Sequence, residues 1–433
     1  MSFLKVLGFD PAKHNVKTEI VAGITTFLTM AYILAVNPDI FSALEDMGMP
    51  KGAVFTATAL AAIVGTLVMS LYAKKPYALA PGLGLNAFFV YTVCLTMGYS
   101  WQFALTAVLI EGIIFIILTV TNVREAIINA IPKSMKSAVS AGIGLFIAFI
   151  GLVNAGIIVD DGGTIISLGT ITSGPALLAI VGLVITSVMM ILKVPGAMLI
   201  GIIVTAIIGI PFGITKFDGV VSAVPSVAPI FCKFEFHNIL TWDMIIVVFT
   251  FLFIDMFDTI GTVIGVSKKA NAMNPDGTIP GVKKVLMADA VATVWGAICG
   301  TSTTTTYVES ASGVAEGGRT GLTSFTVAIC FAIALFFAPV FLAIPSAATA
   351  PALILVGVMM MSSILDVDFN DFSECIPAYI CMIVMPLAYS ISDGIMLGLI
   401  SFVVLNALTG KFKKISVMMW ILAILFILRY ILL

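Results

Sequence analysis

With 433 residues, 60% hydrophobic and only 10% charged, the chain falls far from the soluble range of roughly 45–50% apolar and about 25% charged residues. Too few charges exist to cover a water-facing surface, and the sequence is that of a polytopic membrane protein. A formal net charge of −2 implies no basic surface for nucleic acid. Apolar runs of roughly 17–22 residues argue against the alternating strands, about ten residues long, of a membrane β-barrel.

Residues 1–17 are polar and lack the apolar stretch and small-residue cleavage site of a signal peptide, so the first span is expected to be retained. A helix needs about 20 apolar residues to cross a hydrocarbon core of roughly 30 Å. In chain order the expected spans are 20–41, 53–73, 77–97, 103–121, 135–153, 175–192 and 196–212. After a long polar break come 244–266, 285–300, 301–315, 322–343, 347–364, 372–389 and 394–408. The expectation is an all-α fold of fourteen segments, in which a tail over 417–433, carrying Arg429, either spans or lies at the interface.

Basic residues of short loops mark the cytoplasmic side. Lys5, Lys13 and Lys17 precede the first span, and Lys74 and Lys75 follow the second. Arg124, Lys133 and Lys136 follow the fourth, Lys193 the sixth, and Lys268, Lys269, Lys283 and Lys284 the eighth. Arg319 follows the tenth, and Lys411, Lys413 and Lys414 the fourteenth. All share one side, which places the N-terminus in the cytoplasm. Segment 154–174, with Asp160 and Asp161, falls outside; Lys216 and Lys233 are exceptions in the long break, where the rule is weaker.

Seven spans precede the eighth, so a second set of seven is inverted relative to the first. Thr26-Phe27-Leu28 recurs as Thr250-Phe251-Leu252, an offset of 224. The same offset lays much of the second span on the ninth, the fourth on the eleventh, and Leu85-Asn86 on Glu309-Ser310. Inverted repeats are the common plan of secondary transporters.

Two segments are poor helices. The third carries Pro81, Gly82 and Gly84 inside an apolar run, and the tenth carries five threonines and Ser302 between Thr301 and Glu309. Proline removes a donor, glycine loosens the backbone, and β-branched runs favour extended structure. Both are expected to contain short extended stretches, with helix resuming near Ala87 and Ser310. Unwound backbone at membrane depth requires burial or a cavity, and paired broken segments point to a transporter site.

Acids at membrane depth are costly and functional by default. Asp255 and Asp258 lie one turn apart on the eighth span, Glu309 at the second break, Glu111 in the fourth span and Asp289 in the ninth. Desolvation favours the neutral form of a buried carboxyl, so Asp258, Glu309 and Asp255 are the candidates for carrying a proton. For Asp255 the alternative is bracing a neighbouring helix, for Glu111 a bond across helices, and for Asp289 pairing near the interface beside Lys283 and Lys284. Asn86 offers a donor and an acceptor from an unwound segment. Phe88, Phe89, Phe257 and Tyr307 either stack on a flat ligand or pack, and Met359–Met361 reads as core or lipid contact. Acids and an amide without a cation suit a small neutral or cationic solute, such as a flat molecule rich in N–H groups. With six cysteines but no CxxC pair, and two histidines, a disulfide framework, a metal site or a His relay is not expected.

Three motifs resemble the AzgA-type purine permeases, a branch of the nucleobase–cation symporters related to uracil and xanthine permeases. They are Pro81-Gly-Leu-Gly-Leu-Asn86-Ala-Phe-Phe, Phe253-Ile-Asp255-Met-Phe-Asp258-Thr-Ile-Gly261-Thr262, and Gly300 through Glu309 to Gly313 and on to Gly317-Gly-Arg319-Thr-Gly321. Phe9-Asp10-Pro11 and the loop from Asp276 to Pro280 also match. The resemblance implies two inverted sevens split into a core (1–129 and 243–344) and a gate (130–242 and 345–433). It implies a purine held by Asp258 and Glu309 with help from Asn86, within a substrate-binding set completed by Ala87, Thr262, Val308 and Ser310. Thr262 stands where the uracil permeases carry a His, which leaves the proton between Asp258 and Glu309. The implied activity is proton-coupled import of hypoxanthine and guanine, with adenine a further family substrate, through the cytoplasmic membrane. The expected partners are purine, proton and lipid bilayer, with a homodimer as the assembly considered, no cofactor and no metal. The alternatives are a uracil or xanthine permease on the same fold, an anion exchanger, a channel and a membrane-embedded enzyme.

Overall fold

The computed structural model describes residues 2–121, 132–172, 174–217, 219–237, 239–270, 272 and 279–432. The expectations for Arg124 and for Asp276 to Thr278 lie outside them, as do those for the side chains of Phe257, Lys268 and Arg429. The first half contains α1 Ser2–Val6, α2 Val16–Met30, α3 Ile33–Phe41, α4 Lys51–Val68, β1 Leu79–Pro81, α5 Leu83–Ala87, α6 Trp101–Thr121, α7 Lys133–Asn154, β2 Ile158–Asp161, β3 Ile165–Leu168, α8 Gly174–Ile191 and α9 Ala197–Gly209. The second contains α10 Trp242–Lys269, α11 Val282–Cys299, β4 Thr304–Thr306, α12 Ser310–Ala315, α13 Gly321–Ala334, α14 Ala338–Leu342, α15 Ser346–Met361, α16 Phe372–Leu387, α17 Ile391–Leu408 and α18 Val417–Leu432. Among the described residues, nine helices are long and apolar enough to cross a membrane; α9, α16 and the apolar part of α18 are shorter.

Caps set where the helices begin. The Asn15 side chain accepts from Lys17 N at 2.8 Å to start α2, Thr320 accepts from Leu322 N at 3.2 Å to start α13, and Ser390 accepts from Asp393 N at 3.2 Å to start α17. The expected first span is not one helix. It breaks at Ala31 and Tyr32, where the Thr29 hydroxyl donates back to Thr26 O at 2.8 Å, a bond that bends helices.

The expected breaks in the third and tenth segments are extended, and they meet. β1 and β4 pair antiparallel, Leu79 with Thr306, Ala80 with Thr305 and Pro81 with Thr304. The offset that lays Thr26 on Thr250 brings β1 within one residue of β4. A two-stranded ladder leaves both outer edges unpaired, and hydroxyls from the flanking helices cover them. On α4, Thr66 Oγ1 accepts from Leu79 N at 2.9 Å; on α11, Thr293 Oγ1 donates to Thr304 O at 3.1 Å. This satisfies the backbone at a depth where water cannot.

Helix resumes at Leu83 rather than near Ala87, because Gly82 takes the cap position, and the Asn86 amide already donates to Gly82 O at 2.8 Å. In the tenth segment it resumes at Ser310, as expected from the sequence. Residues 154–174 hold a hairpin that the all-α reading did not include, β2 with β3 around Gly162 and Gly163. Asp-Gly-Gly between β-branched runs is its signal.

The helices pack in two groups. In one, α2 packs on α12 and α13, α4 on α3, α11 and α13, and α6 on α10 and α11; in the other, α7 packs on α15 and α16, α8 on α9 and α15, and α16 on α17. Apolar lipid gives helices no hydrophobic reason to associate, so close approach through small residues does that work. A Cβ at Gly65 on α4 would stand 2.8 Å from Ala292 Cβ on α11, and one at Gly144 on α7 would stand 2.8 Å from Gly357 O on α15.

Asp371 caps α16 and meets Lys414 at 2.7 Å and Lys411 at 3.1 Å. Lys414, the Ser373 hydroxyl and amide, and Lys411 hold its carboxyl well below the usual carboxylate range. A lowered folded value stabilises above the ordinary pKa and loses that contribution as pH falls through the folded one. Asp371→Asn, which keeps the cap, is therefore expected to lower the melting temperature in detergent above about pH 4, with the deficit shrinking in stronger acid.

Candidate functional site

A cavity of about 390 Å³ lies between the two packing groups at the β1–β4 crossing. That volume falls in the range of roughly 300–1,000 Å³ found for small-molecule sites. One wall carries Tyr32, Gly82–Leu85, Asp258, Gly261, Thr262 and Thr306–Glu309; the other carries Val139, Ser140 and Ile143 of α7 with Val356, Met359 and Met360 of α15. It reaches Ser362 and Ser363, beside the ion pair of Lys133 with Asp366 at 2.6 Å. At the opposite end the two groups are joined. Buried Asp39 on α3 accepts from Ser346 at 2.7 Å and Thr349 at 2.6 Å on α15, with Lys51 at 3.7 Å.

Asp258, Thr262, Val308 and Glu309 come together on this wall. Tyr32 Oη donates to Glu309 Oε1 at 2.6 Å, which anchors one oxygen of a carboxyl that lines the cavity. Tyr307 also faces the cavity, with its hydroxyl donating to Pro81 O at 2.6 Å. Asp258 faces Gly82, where a Cβ would stand 3.8 Å from Asp258 Oδ2.

Other expected members are placed elsewhere. Asn86 and Ala87 are buried behind the wall, and Asn86 accepts from the Ser302 hydroxyl, bracing the crossing; the early restart of helix at Leu83 turns both away. Ser310 Oγ accepts from Ala78 N at 3.0 Å and also serves the crossing. Phe88 packs edge-on against Phe251 at 4.8 Å and Phe89 against Phe41 at 5.0 Å, so both are packing. Met359 and Met360 line the cavity instead of a core or lipid face.

Behind the strands lies a second group of acids, each fully buried: Asp255, Asp289 and Glu111. Asp289 is not an interface residue. Its Oδ1 accepts from Thr306 N at 2.9 Å and Thr306 Oγ1 at 3.0 Å. Glu111 accepts from Thr303 Oγ1 at 2.6 Å, a bond from helix to broken segment. Tyr32 is not among the residues the sequence singles out, and Met359 and Met360 are expected from it only as core or lipid contact. A hydroxyl-bearing aromatic inside an apolar run was Tyr32's one signal. Among the described residues, no Lys or Arg lines the cavity, and no cluster of His, Cys, Asp and Glu could hold a metal.

Residues 17–397 match the permease family Xan_ur_permease. The chain belongs to this permease family. It is 49% identical to a putative permease of Methanocaldococcus jannaschii, covering 99% of this chain and 98% of the relative. It is 45% identical to the guanine/hypoxanthine permease PbuG of Bacillus subtilis, covering 98% of each. It is 41% identical to the adenine permease AdeQ of Escherichia coli, over 96% of this chain and 94% of that one. The fold is shared with solved transporters. The transmembrane domain of the cyanobacterial bicarbonate transporter BicA aligns with a TM-score of 0.65 at 16% identity, covering 89% of this permease and 97% of that domain. The murine anion transporter Slc26a9 in its inward-facing state aligns with a TM-score of 0.67 at 13% identity, covering 94% and 70%. The permease is thus a multi-pass membrane transporter, not an enzyme.

Proposed function

We propose that this permease imports purine nucleobases together with a proton, hypoxanthine and guanine first and adenine as a further candidate, by alternating access across the cytoplasmic membrane. The observation that carries the reading is the meeting of Asp258 and Glu309 in one cavity with Tyr32 and Tyr307, where β1 crosses β4. A carboxylate accepts two N–H groups in parallel, as the edge of a purine supplies them, and tyrosine rings suit a flat heterocycle. Guanine/hypoxanthine and adenine permeases among the relatives support the same substrate class. Acids with no lining cation among the described residues argue against an anion as cargo.

In this reading fourteen segments form two inverted sevens. Residues 1–129 and 243–344 make the core, and 130–242 and 345–433 the gate, a division supported by the two packing groups. With the N-terminus cytoplasmic, the end beside Lys133 and Asp366 faces the cytoplasm, and the Asp39 bonds to Ser346 and Thr349 close the outer side. The purine and a proton enter from outside, the core moves against the gate, and both leave inward. One charge crossing about 100 mV releases about 2.3 kcal/mol, enough for roughly 50-fold accumulation.

Uptake of labelled hypoxanthine, guanine and adenine into proteoliposomes, with and without an imposed pH gradient, tests the reading. Saturable uptake raised by an acid exterior supports it. Uptake of uracil or xanthine alone, or uptake indifferent to the gradient, rejects it. Tyr32→Phe removes the donor to Glu309 Oε1 while keeping the ring. It is expected to raise the KM for purine by about tenfold, within the cost of one hydrogen bond to a charged group, without loss of folded protein.

A further inference from the structure

The hydroxyl of Thr259, fully buried on α10, has three oxygen neighbours at hydrogen-bond distance. They are Asp255 Oδ1 at 3.0 Å, Asp289 Oδ2 at 2.9 Å and Thr305 Oγ1 at 2.7 Å. A threonine hydroxyl brings one hydrogen and accepts two. Thr305 can donate to Thr259, and Thr259 can donate to one aspartate. The contact with the other aspartate then needs a hydrogen that only a carboxylic acid supplies. Asp289 already accepts two hydrogens from Thr306, as an ionised carboxylate does.

We infer that Asp255, Thr259 and Asp289 form a second proton site, behind the cavity wall, in which Asp255 holds a proton, Thr259 passes the bond on, and Asp289 is the carboxylate that receives it. In this chain Asp255 O–H donates to Thr259 Oγ1, and Thr259 O–H donates to Asp289 Oδ2. Release moves that single proton from Asp255 to water in the cavity, and no other bond changes. Two carboxylates then compete for the one hydrogen of Thr259, and their repulsion acts between α10 and the β4 segment that Asp289 holds. Asp258 stands one residue before Thr259, and Glu309 three residues after Thr306, so proton loss here works on both candidate ligands of the purine.

Among the described residues, the other ionisable groups around the site are the following. Glu111 on α6 is occupied by Thr303, Asp258 and Glu309 face the cavity with Tyr32 and Tyr307, and Tyr77 bonds Ser267 at 2.7 Å. Lys269 on α10 and Lys283 and Lys284 on α11 are exposed at the helix ends. The inference rests on the transport reading above for its consequence, but the proton itself is observable without transport.

The test uses the full chain in proteoliposomes with two readouts. Infrared spectroscopy in light and heavy water reads the carbonyl band of a buried carboxylic acid. Labelled guanine is followed both in exchange against unlabelled guanine and in accumulation driven by a pH gradient of about one unit, which supports up to about tenfold accumulation per proton. Asp255→Asn mimics the protonated acid, and it is expected to remove the component of the acid band that belongs to Asp255, apart from any carried by Asp258 or Glu309, and to abolish the gradient-driven accumulation while exchange persists. Thr259→Val is expected to shift the band, and Thr259→Ser to restore it. The site is overturned if Asp255→Asn leaves the band unchanged in position and intensity, or keeps accumulation at the level of the unaltered protein. Absence of guanine exchange in the unaltered protein would instead reject the substrate reading, while the band still decides where the proton sits.

Discussion

Asp258→Asn and Glu309→Gln should each lower purine uptake by about 100-fold or more, with expression and melting temperature close to those of the unaltered protein. Both changes keep shape and remove a negative charge. Hydrogen bonds to charged groups are worth about 1.5–3 kcal/mol, so loss of one acceptor alone weakens binding by roughly 10–150-fold. Any part in carrying the proton adds to that. The side chains stand on separate elements, α10 and the start of α12, and meet only in the cavity. A double substitution is therefore expected to cost little more than either single one, because the ligand is already lost. Uptake within about threefold of the unaltered protein in either variant, on a scale where one such bond is worth tenfold or more, would remove that residue from the site.

Gly82→Val is expected to have an effect of similar size by a different route. A Cβ at Gly82 would lie 2.9 Å from Thr305 Cγ2 and 3.0 Å from Leu85 Cδ1. Valine adds two methyl groups to that Cβ, and overpacking of this kind costs about 1–3 kcal/mol where neighbours cannot give. Thr305 cannot give freely, because its backbone pairs with Ala80 and its hydroxyl with Thr259. The crossing must spread, which moves Glu309 relative to Asp258. Loss of purine binding with a lowered melting temperature is expected, whereas Gly82→Ala should show an intermediate loss. Direct binding to detergent-solubilised protein separates this from a trafficking defect.

Much of the frame was legible because its signals are local. Apolar run length placed the helices, and Pro81-Gly82 and the threonine run over 301–306 marked the two places where helix gives way to strand. Asp258 and Glu309 stood out because ionisable groups are rare in such surroundings. What failed was local geometry set by distant partners. One cap, Gly82, moved the restart of helix to Leu83 and turned Asn86 from the cavity to Ser302. Asp289 lies close in sequence to Lys283 and Lys284, yet five residues at about 100° each place it about 140° around the helix from exposed Lys284. Tyr32 and the methionines of α15 enter the wall only through contacts between segments hundreds of positions apart, which no single stretch encodes.

The two short helices that meet the cavity begin with unlike residues. Glu309 occupies the cap position of α12, and Gly82 the corresponding position of α5. A molecule lying across the crossing thus meets the Glu309 carboxyl at one cap and, at the other, main chain left open toward Asp258. The duplicated architecture thus starts its two short helices on unlike residues, and the side chain missing at Gly82 is what leaves room for the Asp258 carboxyl above the strand crossing.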